Sequence, residues 1–556
     1  MLKRIYILLL VFTAMQLASC GTYKSIHHKP VTEGYNATVP VVEKVNDSTF
    51  ISGRNSLTKN EQGQWELYIE GDPLQRGLVN GALTQSLMQK QEHAFLGKVQ
   101  ELVPSKFKQS LLRQFLKWYN RKLYLHVPEE YKTEIYGLSQ YMPDDFDNVA
   151  PPYLRALYLH AAHDIGHALN DLALVGCTSF AAWGNKTEDG SLLLARNLDF
   201  YAGDEFAEDK VIAFVKPDKG YPYMSVVWGG FIGNLSGMNY EGLTVTINAG
   251  KSDVPLIAKT PISLLSREIL QYAKNIDEAI AIAKKREVFV SESIMVGSAN
   301  DKRAVLIEVS PEKFGVYDVV NSTQLICSNH FQSDTYKDDK NNTETIRDSH
   351  SEYRYERMEE LLEENNKVGP EEAAEIMRNR EGLSDLVIGY GNEKAINQLL
   401  AHHTVIFKPE QKQVWVSSNP YNLGEFTGYD LDEIFSSRRQ KPAVKSLQEP
   451  LMLLPEDEFK YSEEFKNYEE FRKLDRVIDK AVANDEKLPS GFIETYQSLN
   501  PEHWKVYYSA GLYFYKKGYL AAARQQFSTA LIKEITTLPA RENIEGYLRK
   551  LNRKTE

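Results

Sequence analysis

The sequence contains little cysteine, no excess of basic residues and no long apolar run beyond its first twenty residues. Its 556 residues include three cysteines, Cys20, Cys177 and Cys327, which are too few for a disulfide framework or a four-cysteine metal site. Asp and Glu total 76 against 65 Lys and Arg, and this net charge of -11 argues against nucleic acid as the main partner. Hydrophobic residues make up 42% of the chain, which is typical of a globular protein with several structural units.

The first twenty residues have the pattern of an export signal. A basic pair, Lys3 and Arg4, precedes an apolar segment that is too short to cross a bilayer. The ending LASC at residues 17–20 resembles the lipobox of bacterial lipoproteins, in which the cysteine is lipidated and becomes the new N-terminus. We therefore expect residues 1–19 to be a signal peptide and Cys20 to carry a lipid anchor in the cell envelope, on the outer membrane or the periplasmic face. An ordinary signal peptide cut nearby is the alternative.

The rest of the chain changes its residue pattern several times, which predicts separate segments. Residues 20–60 lack periodicity and are expected to be a tether, whereas apolar positions at three-to-four spacing predict helices through 61–176. Strand-like runs with inserted helical patterns follow over 177–430 and predict an α+β layered domain. A linker with a helical segment is expected at 431–490, and a helical hairpin at 491–556.

The strand-like runs are short and rich in β-branched and apolar residues. The predicted strands are Thr178–Trp183, Leu192–Leu198, Val211–Val215, Met224–Trp228, Leu243–Ile247, Ile294–Val296 and Val305–Val309. Two helical patterns, Pro261–Ala273 and Ile276–Lys285, fall between them.

The C-terminal segment contains one tetratricopeptide-like helix–turn–helix pattern. Small residues occupy the positions where two helices would touch, and one phenylalanine would pack between them: Gly511, Gly518, Ala523, Phe527 and Ala530. Stacked arrays usually need about three copies, so we expect a hairpin that packs against the main domain. An array that binds a protein partner is the alternative.

Cys177 lies where the helical pattern gives way to strands, and its neighbours suggest more than a buried thiol. Gly176 leaves the preceding carbonyl sterically open, which suits attack by the thiol on its own peptide bond. Arg196 and Asp199 end the next predicted strand, and pairing of the two strands would place a cation and a carboxylate beside the cysteine. A structural core thiol is the alternative.

Two asparagines, Asn248 and Asn329, each end an apolar strand where a side-chain amide can act as an oxyanion donor. Further motifs follow in order along the chain: Cys177-Thr178-Ser179, Asp189-Gly190, Arg196-Asn197-Leu198-Asp199, Gly237–Leu243, Ser328-Asn329-His330-Phe331, and Arg354 with Arg357. Together they resemble the cysteine-type N-terminal nucleophile (Ntn) amidases, which include choloylglycine hydrolase, penicillin V acylase, acid ceramidase and isopenicillin N acyltransferase. The resemblance covers about residues 65–418.

This resemblance implies a four-layer αββα sandwich and a chain that cuts itself between Gly176 and Cys177. The helical precursor segment 61–176 would stay bound as a second subunit. The new α-amine of Cys177, with a typical pKa of roughly 7.7–8.0, would take the thiol proton, and the thiolate would cleave a linear N-acyl amide through a thioester. We expect neither a cofactor nor a metal ion.

The resemblance also implies roles for the other site residues. Asn248 and Asn329 would hold the oxyanion, and Asp199 would pair with the new α-ammonium. Arg196 and Arg354 would fix that carboxylate. On the order of motifs Arg354 is preferred over Arg357, although a swap of the two remains open.

Several alternatives stay open. Hydrolysis is favoured over acyl transfer because acyl-CoA is not expected outside the cytoplasm, and a phospholipase B-like or ceramidase-like lipid hydrolase is a rival within the same class. A non-catalytic surface binding lipoprotein is a second rival. A third is a zinc hydrolase that uses the helical face of His160, His163 and His167, although no HExxH order is present. The acyl group and the amine of the substrate are not specified.

Overall fold

The computed structural model describes residues 21–162, 164, 175–200, 203–251, 257–436 and 442–553. The predicted signal peptide, Cys20, His163 and His167 lie outside the described residues. Among the helices of the described ranges, none combines the length and the apolar composition needed to cross a membrane.

Seventeen strands of the described chain form two sheets. The larger sheet contains β1 Glu43–Asn46, β2 Thr49–Ser52, β3 Asn55–Lys59, β4 Trp65–Gly71, β7 Val211–Pro217, β8 Tyr223–Val227, β9 Ser236–Asn239, β10 Leu243–Ala249, β11 Glu292–Ser298, β12 Arg303–Val309 and β13 Phe314–Tyr317, in that spatial order. The smaller sheet runs β14 Gln324–Cys327, β5 Val175–Ala182, β6 Leu193–Phe200, β15 His403–Lys408, β16 Gln413–Ser417 and β17 Phe426–Asp430. Of the described pairs, only β4 with β7 is parallel.

Helices surround the sheets, and residues 21–27 are helical as well. The helices are α1 Pro73–Leu102, α2 Lys106–Tyr119, α3 Leu123–His126, α4 Glu129–Ser139, α5 Pro152–His160, α6 Ile262–Tyr272, α7 Ile276–Lys284, α8 Lys340–Asp348, α9 Ser351–Glu364, α10 Pro370–Met377, α11 Leu431–Phe435, α12 Glu463–Asn484, α13 Phe492–Leu499, α14 Trp504–Lys516, α15 Leu520–Leu531 and α16 Leu538–Arg553.

The prediction of strands between residues 177 and 430 is confirmed. The seven predicted runs correspond to β5, β6, β7, β8, β10, β11 and β12, and the two predicted helices correspond to α6 and α7. Every residue of β6, β10 and β11 is buried, because these strands have neighbours on both edges and packed side chains on both faces. This double burial explains why apolar runs rather than strict alternation marked them in the sequence.

The prediction of a tether over residues 20–60 is wrong for residues 43–59, which form β1, β2 and β3 of the larger sheet. These strands have four or five residues each, which is too short to show a period of two in a polar segment. The prediction of helices over residues 61–176 is also wrong at its start. Residues Trp65–Gly71 form β4, and the helix begins only at Pro73, where the Asp72 side chain accepts the N–H of Gln75 at 3.0 Å.

Buried apolar clusters lie on both faces of each sheet. One cluster joins the two sheets, with Phe214 and Met224 of the larger sheet packed with Val405 of the smaller one. A second joins the larger sheet to the helices of the precursor segment and to α6 and α7. A third joins the smaller sheet to α9 and α10, with Ile406 and Met358 among its members. Neighbouring residues Val405 and Ile406 thus belong to different clusters, as the alternation of side chains along a strand requires.

A buried ion network joins the chain before Cys177 to the chain after it. Oε2 of Glu134 accepts hydrogen bonds from Nη2 of Arg76 at 2.8 Å and from Nη2 of Arg267 at 2.7 Å. Burial alone would raise the pKa of Glu134, but the charges of Arg267 and Arg76 lower it overall. Because removal of one partner from a buried ion pair commonly costs about 3–5 kcal/mol, this network strongly couples the two parts of the chain.

The predicted C-terminal hairpin is present as α14 and α15. A side chain at Gly511 would lie 2.6 Å from the ring of Phe527, so the two helices approach closely at this point. The hairpin region contacts the main domain as expected, because Thr536 donates to Glu393 at 2.8 Å and Lys394 pairs with Glu534.

Candidate active site

The site is built on the antiparallel pair β5–β6. In this pair Cys177 lies opposite Leu198, Ser179 opposite Arg196 and Gly176 opposite Asp199. Opposed residues share a face and neighbours alternate, so Cys177 and Arg196 lie on one face and Asp199 lies on the other.

Polar contacts fix Cys177 on every side. Its Sγ accepts a hydrogen bond from Nη2 of Arg196 at 3.3 Å, and its backbone N–H donates to Oδ1 of Asn329 at 3.0 Å. Its carbonyl oxygen accepts from Nη1 of Arg354 at 2.7 Å. Only 1% of the residue is exposed. The sulfur and the backbone of the cysteine are therefore held separately, the sulfur by one arginine and the backbone by an asparagine and a second arginine.

Burial raises the pKa of the Cys177 thiol, and the charge of Arg196 opposes this rise, whereas the charges of Asp199 and Glu292 add to it. The intact chain consequently favours the protonated thiol. A base next to the sulfur is needed to form the thiolate, which is the role that a free α-amine at this residue would fill.

Arg196 is held rigidly on the sulfur side of β5. Its Nη1 donates to Oγ of Ser236 at 2.7 Å and to the carbonyl of Leu235 at 3.2 Å, and its Nη2 also bonds the carbonyl of Ile247. Ser236 is bonded in turn to Nε2 of His403 at 2.9 Å. This buried network fixes the guanidinium before any chemistry occurs.

The structure distinguishes between Arg354 and Arg357. Arg354 is fully buried on α9, where its Nη1 bonds Oγ1 of Thr178 at 2.5 Å and its Nη2 bonds Oδ1 of Asn329 at 2.6 Å. Arg357 points elsewhere and pairs with Glu360 and Asp385. Of the two arginines, Arg354 is the one placed at Cys177.

The expectation that Arg196 and Arg354 fix the carboxylate of Asp199 is wrong for the intact chain. Neither carboxylate oxygen of Asp199 has a hydrogen-bond partner among the described residues, and only 2% of the residue is exposed. Arg196 does not bond this carboxylate because side chains alternate along β6, so residues 196 and 199 face opposite sides of the strand. Burial raises the pKa of Asp199 to about 7, and the charges of Arg354 and Arg196 offset that rise only in part.

The two asparagines take different positions. Oδ1 of Asn329 accepts the N–H of the Gly176–Cys177 peptide bond, while its Nδ2 donates to the carbonyl of Ala249 at 2.9 Å. Asn248 instead accepts the hydroxyl of Ser179 at 2.9 Å, and its Nδ2 donates to the carbonyls of Cys327 and Ser328. In the intact chain Asn248 therefore ties β5 to the end of β14, and Asn329 is the amide that contacts the Gly176–Cys177 peptide bond.

Gln398 is a site residue that the sequence motifs missed. A Cβ placed on Gly176 would lie 2.6 Å from Nε2 of Gln398, and this Nε2 has no hydrogen-bond partner among the described residues. The side chain is buried, with 2% exposed. Gln398 lies more than two hundred residues after Gly176 in a segment without strand or helix, so no pattern in the sequence could indicate the contact.

We predict that Gly176→Ala slows the self-cleavage expected at the Gly176–Cys177 bond about tenfold, the equivalent of roughly 1.4 kcal/mol in the barrier, because the new methyl displaces the Gln398 amide and shifts the peptide bond. The double variant Gly176→Ala/Gln398→Ala should recover most of the rate, since the obstacle is removed. The measurement is the time course of intact chain after release from denaturant, followed by mass spectrometry. A double variant that is slower than both single variants would show that steric conflict is not the cause.

His160, a residue of the alternative zinc-binding face, and Cys327 both have structural roles. Nδ1 of His160 bonds the carbonyl of Ala156 at 2.8 Å, and its Nε2 accepts the N–H of Ile232 at 2.9 Å, so both ring nitrogens are occupied. Cys327 is fully buried within the cluster that joins the two sheets, and burial raises the pKa of its thiol strongly. Cys327 is therefore a core thiol in this structure.

An apolar cavity reaches the end of β6, the strand that pairs with β5. Its aromatic lining consists of Phe95, Phe200, Phe206, Trp228 and Phe231, and Phe200 directly follows Asp199 in β6. Phe95 belongs to the precursor segment and the other four residues follow Cys177. The cavity could therefore hold an apolar group against the strand that pairs with that of Cys177.

Residues 185–420 match the family model described as acyl-coenzyme A:6-aminopenicillanic acid acyl-transferase. The match begins after Cys177 and covers the other predicted catalytic residues. An uncharacterized protein of Archaeoglobus fulgidus is 26% identical over 274 residues, which are 46% of this chain and 45% of that protein. Protein dcd1B of Dictyostelium discoideum is 25% identical over 195 residues, which are 34% of this chain and 36% of that protein. The chain thus spans less than half the length of these curated relatives.

Solved structures give weaker likenesses. The Caenorhabditis elegans ortholog of N-acylethanolamine-hydrolyzing acid amidase is 17% identical with a TM-score of 0.31, covering 44% of this chain and 97% of that one. A mutant of the conjugated bile acid hydrolase from Clostridium perfringens is 14% identical with a TM-score of 0.32, covering 48% and 95%. The family match covers 236 of the 556 residues, so the likeness to that acyl-transferase family extends over less than half of the chain.

Proposed function

We propose that this protein is a self-processing cysteine amidase in which Cys177 is the nucleophile. The observation that carries the proposal is the convergence on Cys177, where Arg196 contacts the sulfur, Asn329 the backbone N–H and Arg354 the carbonyl. A core cysteine needs none of these groups, and burial of two arginines beside an inert thiol would be costly.

The proposed self-cleavage needs only groups of the chain itself and water. Sγ of Cys177 attacks the carbonyl carbon of Gly176, the C–N bond breaks, and the thiol proton passes to the nitrogen, which leaves a thioester. Water then hydrolyses the thioester and regenerates the thiol, with Gly176 as a new C-terminus and Cys177 as a new N-terminus. Because Asn329 holds the N–H of this peptide bond, it positions the bond that breaks.

Cleavage creates the groups that catalysis needs. The new α-amine lies at the atom that Asn329 already contacts, and it takes the thiol proton at near-neutral pH. Asp199 opposes Gly176 across the strand pair and is the carboxylate available to an α-ammonium at Cys177. In the oxyanion role, loss of one donor typically costs about 2.7–4 kcal/mol. Both side-chain amides already donate to backbone carbonyls, and we assign this role to Asn329 before Asn248 because Asn329 is the one that contacts Cys177.

The precursor segment should remain bound after cleavage as a second subunit. Its β4 pairs in parallel with β7 over the whole length of both strands, and Glu134 of the precursor joins Arg267 of the catalytic part. The packing of sheet on sheet, with helices on the outer faces, is consistent with the αββα layers that the sequence resemblance implies. We include this four-layer arrangement in the proposal.

For the substrate we propose a linear N-acyl amide with an apolar acyl group. The aromatic cavity supports this choice, because its lining includes Phe200 of β6, the strand that pairs with the strand of Cys177. Hydrolysis is preferred over acyl transfer, and attachment to the cell envelope through Cys20 belongs to the same proposal. A lipid hydrolase with the same cysteine is the second candidate, favoured by the same apolar cavity.

The test is the intact mass of the purified wild-type chain after incubation at neutral pH with a reducing agent. We expect two pieces, roughly 18 and 43 kDa when mass is apportioned by residue count, with the larger beginning at Cys177. Sequencing of the new N-terminus fixes the cleavage site. A chain that stays whole under these conditions would contradict the proposal and return the protein to the class of binding lipoproteins.

A further inference from the structure

The precursor segment carries a helix whose apolar face is not covered by the described protein. In α2 the side chains Phe107, Leu111 and Phe115 stand four residues apart, and they are 72%, 56% and 37% exposed. Positions i, i+4 and i+8 form one stripe along a helix. Of the whole helix only Tyr119, at its last position, is buried. We call Phe107, Leu111 and Phe115 the apolar stripe.

The charge around this stripe is opposite in sign to that of the whole chain. Residues 102–128 contain no Asp or Glu, although the protein as a whole has a net charge of -11. They contain six basic residues: Lys106, Lys108, Arg113, Lys117, Arg121 and Lys122. Within the described part of the chain none of these six side chains forms an ion pair with a carboxylate. A basic segment without acidic partners is complementary to an anionic surface.

The start of the described chain lies against the same segment. A Cβ on Gly21 would lie 3.3 Å from Cδ of Arg121, and the ring of His28 lies 4.3 Å from that of Tyr124. Gly21 directly follows Cys20, the predicted site of lipid attachment. A lipid attached to Cys20 would therefore emerge from the protein surface next to the basic residues at the end of α2.

We propose that α2 lies on an anionic lipid bilayer, with the apolar stripe at the boundary of the acyl chains and the basic residues at the headgroups. An amphipathic helix with basic residues around an apolar face is the structure that binds in this way. Basic residues that face anionic headgroups add to the membrane affinity of a lipid anchor. The surface does not depend on the proposed amidase activity, since no residue of the Cys177 site belongs to it.

The test uses the mature chain with Cys20→Ser, which keeps every described residue and cannot be acylated at that position. Its binding to sedimented vesicles of phosphatidylcholine with phosphatidylglycerol is compared with binding to phosphatidylcholine alone. We expect binding to the anionic vesicles only. Most of this binding should be lost at about 1 M salt, because the Debye length is then about 3 Å and charges farther apart are screened from each other.

Two variants separate the contributions. Phe107→Ser/Leu111→Ser/Phe115→Ser should weaken binding about tenfold or more, and Lys106→Gln/Lys108→Gln/Arg113→Gln/Lys117→Gln roughly 100-fold. All the altered side chains lie outside the core, so folding, checked by circular dichroism, should be unchanged. The matched control is Leu451→Ser/Ile532→Ser, which removes apolar side chains that are 99% and 81% exposed in other segments and should leave binding unaltered.

Three outcomes would overturn the proposal. One is the absence of binding by the parent chain, and another is equal binding by the stripe variant and the parent. The third is a parent chain that sediments as a dimer in the ultracentrifuge and becomes a monomer when the stripe is changed, because a second copy would then cover this face. Self-cleavage is followed in the same samples, so that a failure of the proposed amidase is seen separately.

Discussion

Cys177→Ala is expected to leave the chain whole and to abolish turnover of N-acyl amides. The substitution removes the only sulfur that Arg196 contacts among the described residues, and with it both the attack on Gly176 and the attack on substrate. Loss of a nucleophile that acts with its base as a unit lowers the rate by on the order of 10⁶-fold. The measurement is intact mass, together with release of amine from a panel of N-acyl amides that differ in acyl length.

Cys327→Ala is the matched control, because it removes the other described cysteine. Cys327 is fully buried between the sheets and its weak S–H donor contacts the carbonyl of Ser328 at 3.5 Å. The control should lose some stability through the small cavity, yet it should cut itself at the normal site. Cleavage that persists in Cys177→Ala, or that stops in Cys327→Ala alone, would refute the assignment of the nucleophile.

The sequence predicted more of the site than of its surroundings. The motifs correctly indicated that three distant parts of the chain meet at one place. Cys177 on β5 is contacted by Asn329 in the turn after β14 and by Arg354 on α9. The opposite faces of Arg196 and Asp199 follow from strand alternation alone, because the two residues are an odd number of positions apart. That argument was available in the sequence and corrects the expected contact between them.

Other features were beyond reach from the sequence because they depend on tertiary packing. Gln398 meets Gly176 only because the segment before β15 folds back over β5, and no local pattern encodes that approach. The strands β1, β2 and β3 were missed because short polar strands gain their stability from the sheet that they join and not from their own residues. The seven apolar strands, in contrast, showed their burial directly in their composition.

Asp199→Asn should have opposite effects before and after cleavage. In the uncleavable Cys177→Ala background, we expect the substitution to stabilise the folded chain at high pH. The pKa of Asp199 is raised from 3.8 to about 7 by burial, so its folded form favours the proton. A group with a raised pKa adds stability below its unfolded pKa and loses that contribution as pH rises through its folded pKa.

As pH rises from about 4 to about 7, the free energy of unfolding of the Cys177→Ala chain should therefore decrease relative to that of Cys177→Ala/Asp199→Asn. A shift of about three pKa units corresponds to at most roughly 4 kcal/mol, at about 1.4 kcal/mol per unit. Urea unfolding of both chains at several pH values measures the difference. Parallel pH profiles for the two chains would contradict the idea that Asp199 is buried without a partner in the intact chain.

In the cleavable chain the same substitution should reduce catalysis, because the α-ammonium of Cys177 gives the carboxylate the partner that the intact chain lacks. A nearby positive charge lowers the pKa of a buried carboxylate, so cleavage should convert a destabilising group into half of an ion pair. Asp199→Asn should then cleave itself but lose turnover, with its remaining activity shifted to lower pH, because loss of the carboxylate lowers the pKa of the α-amine and leaves the amine neutral at lower pH. An amidase that keeps full activity and its pH profile after Asp199→Asn would show that the carboxylate does not pair with the new N-terminus.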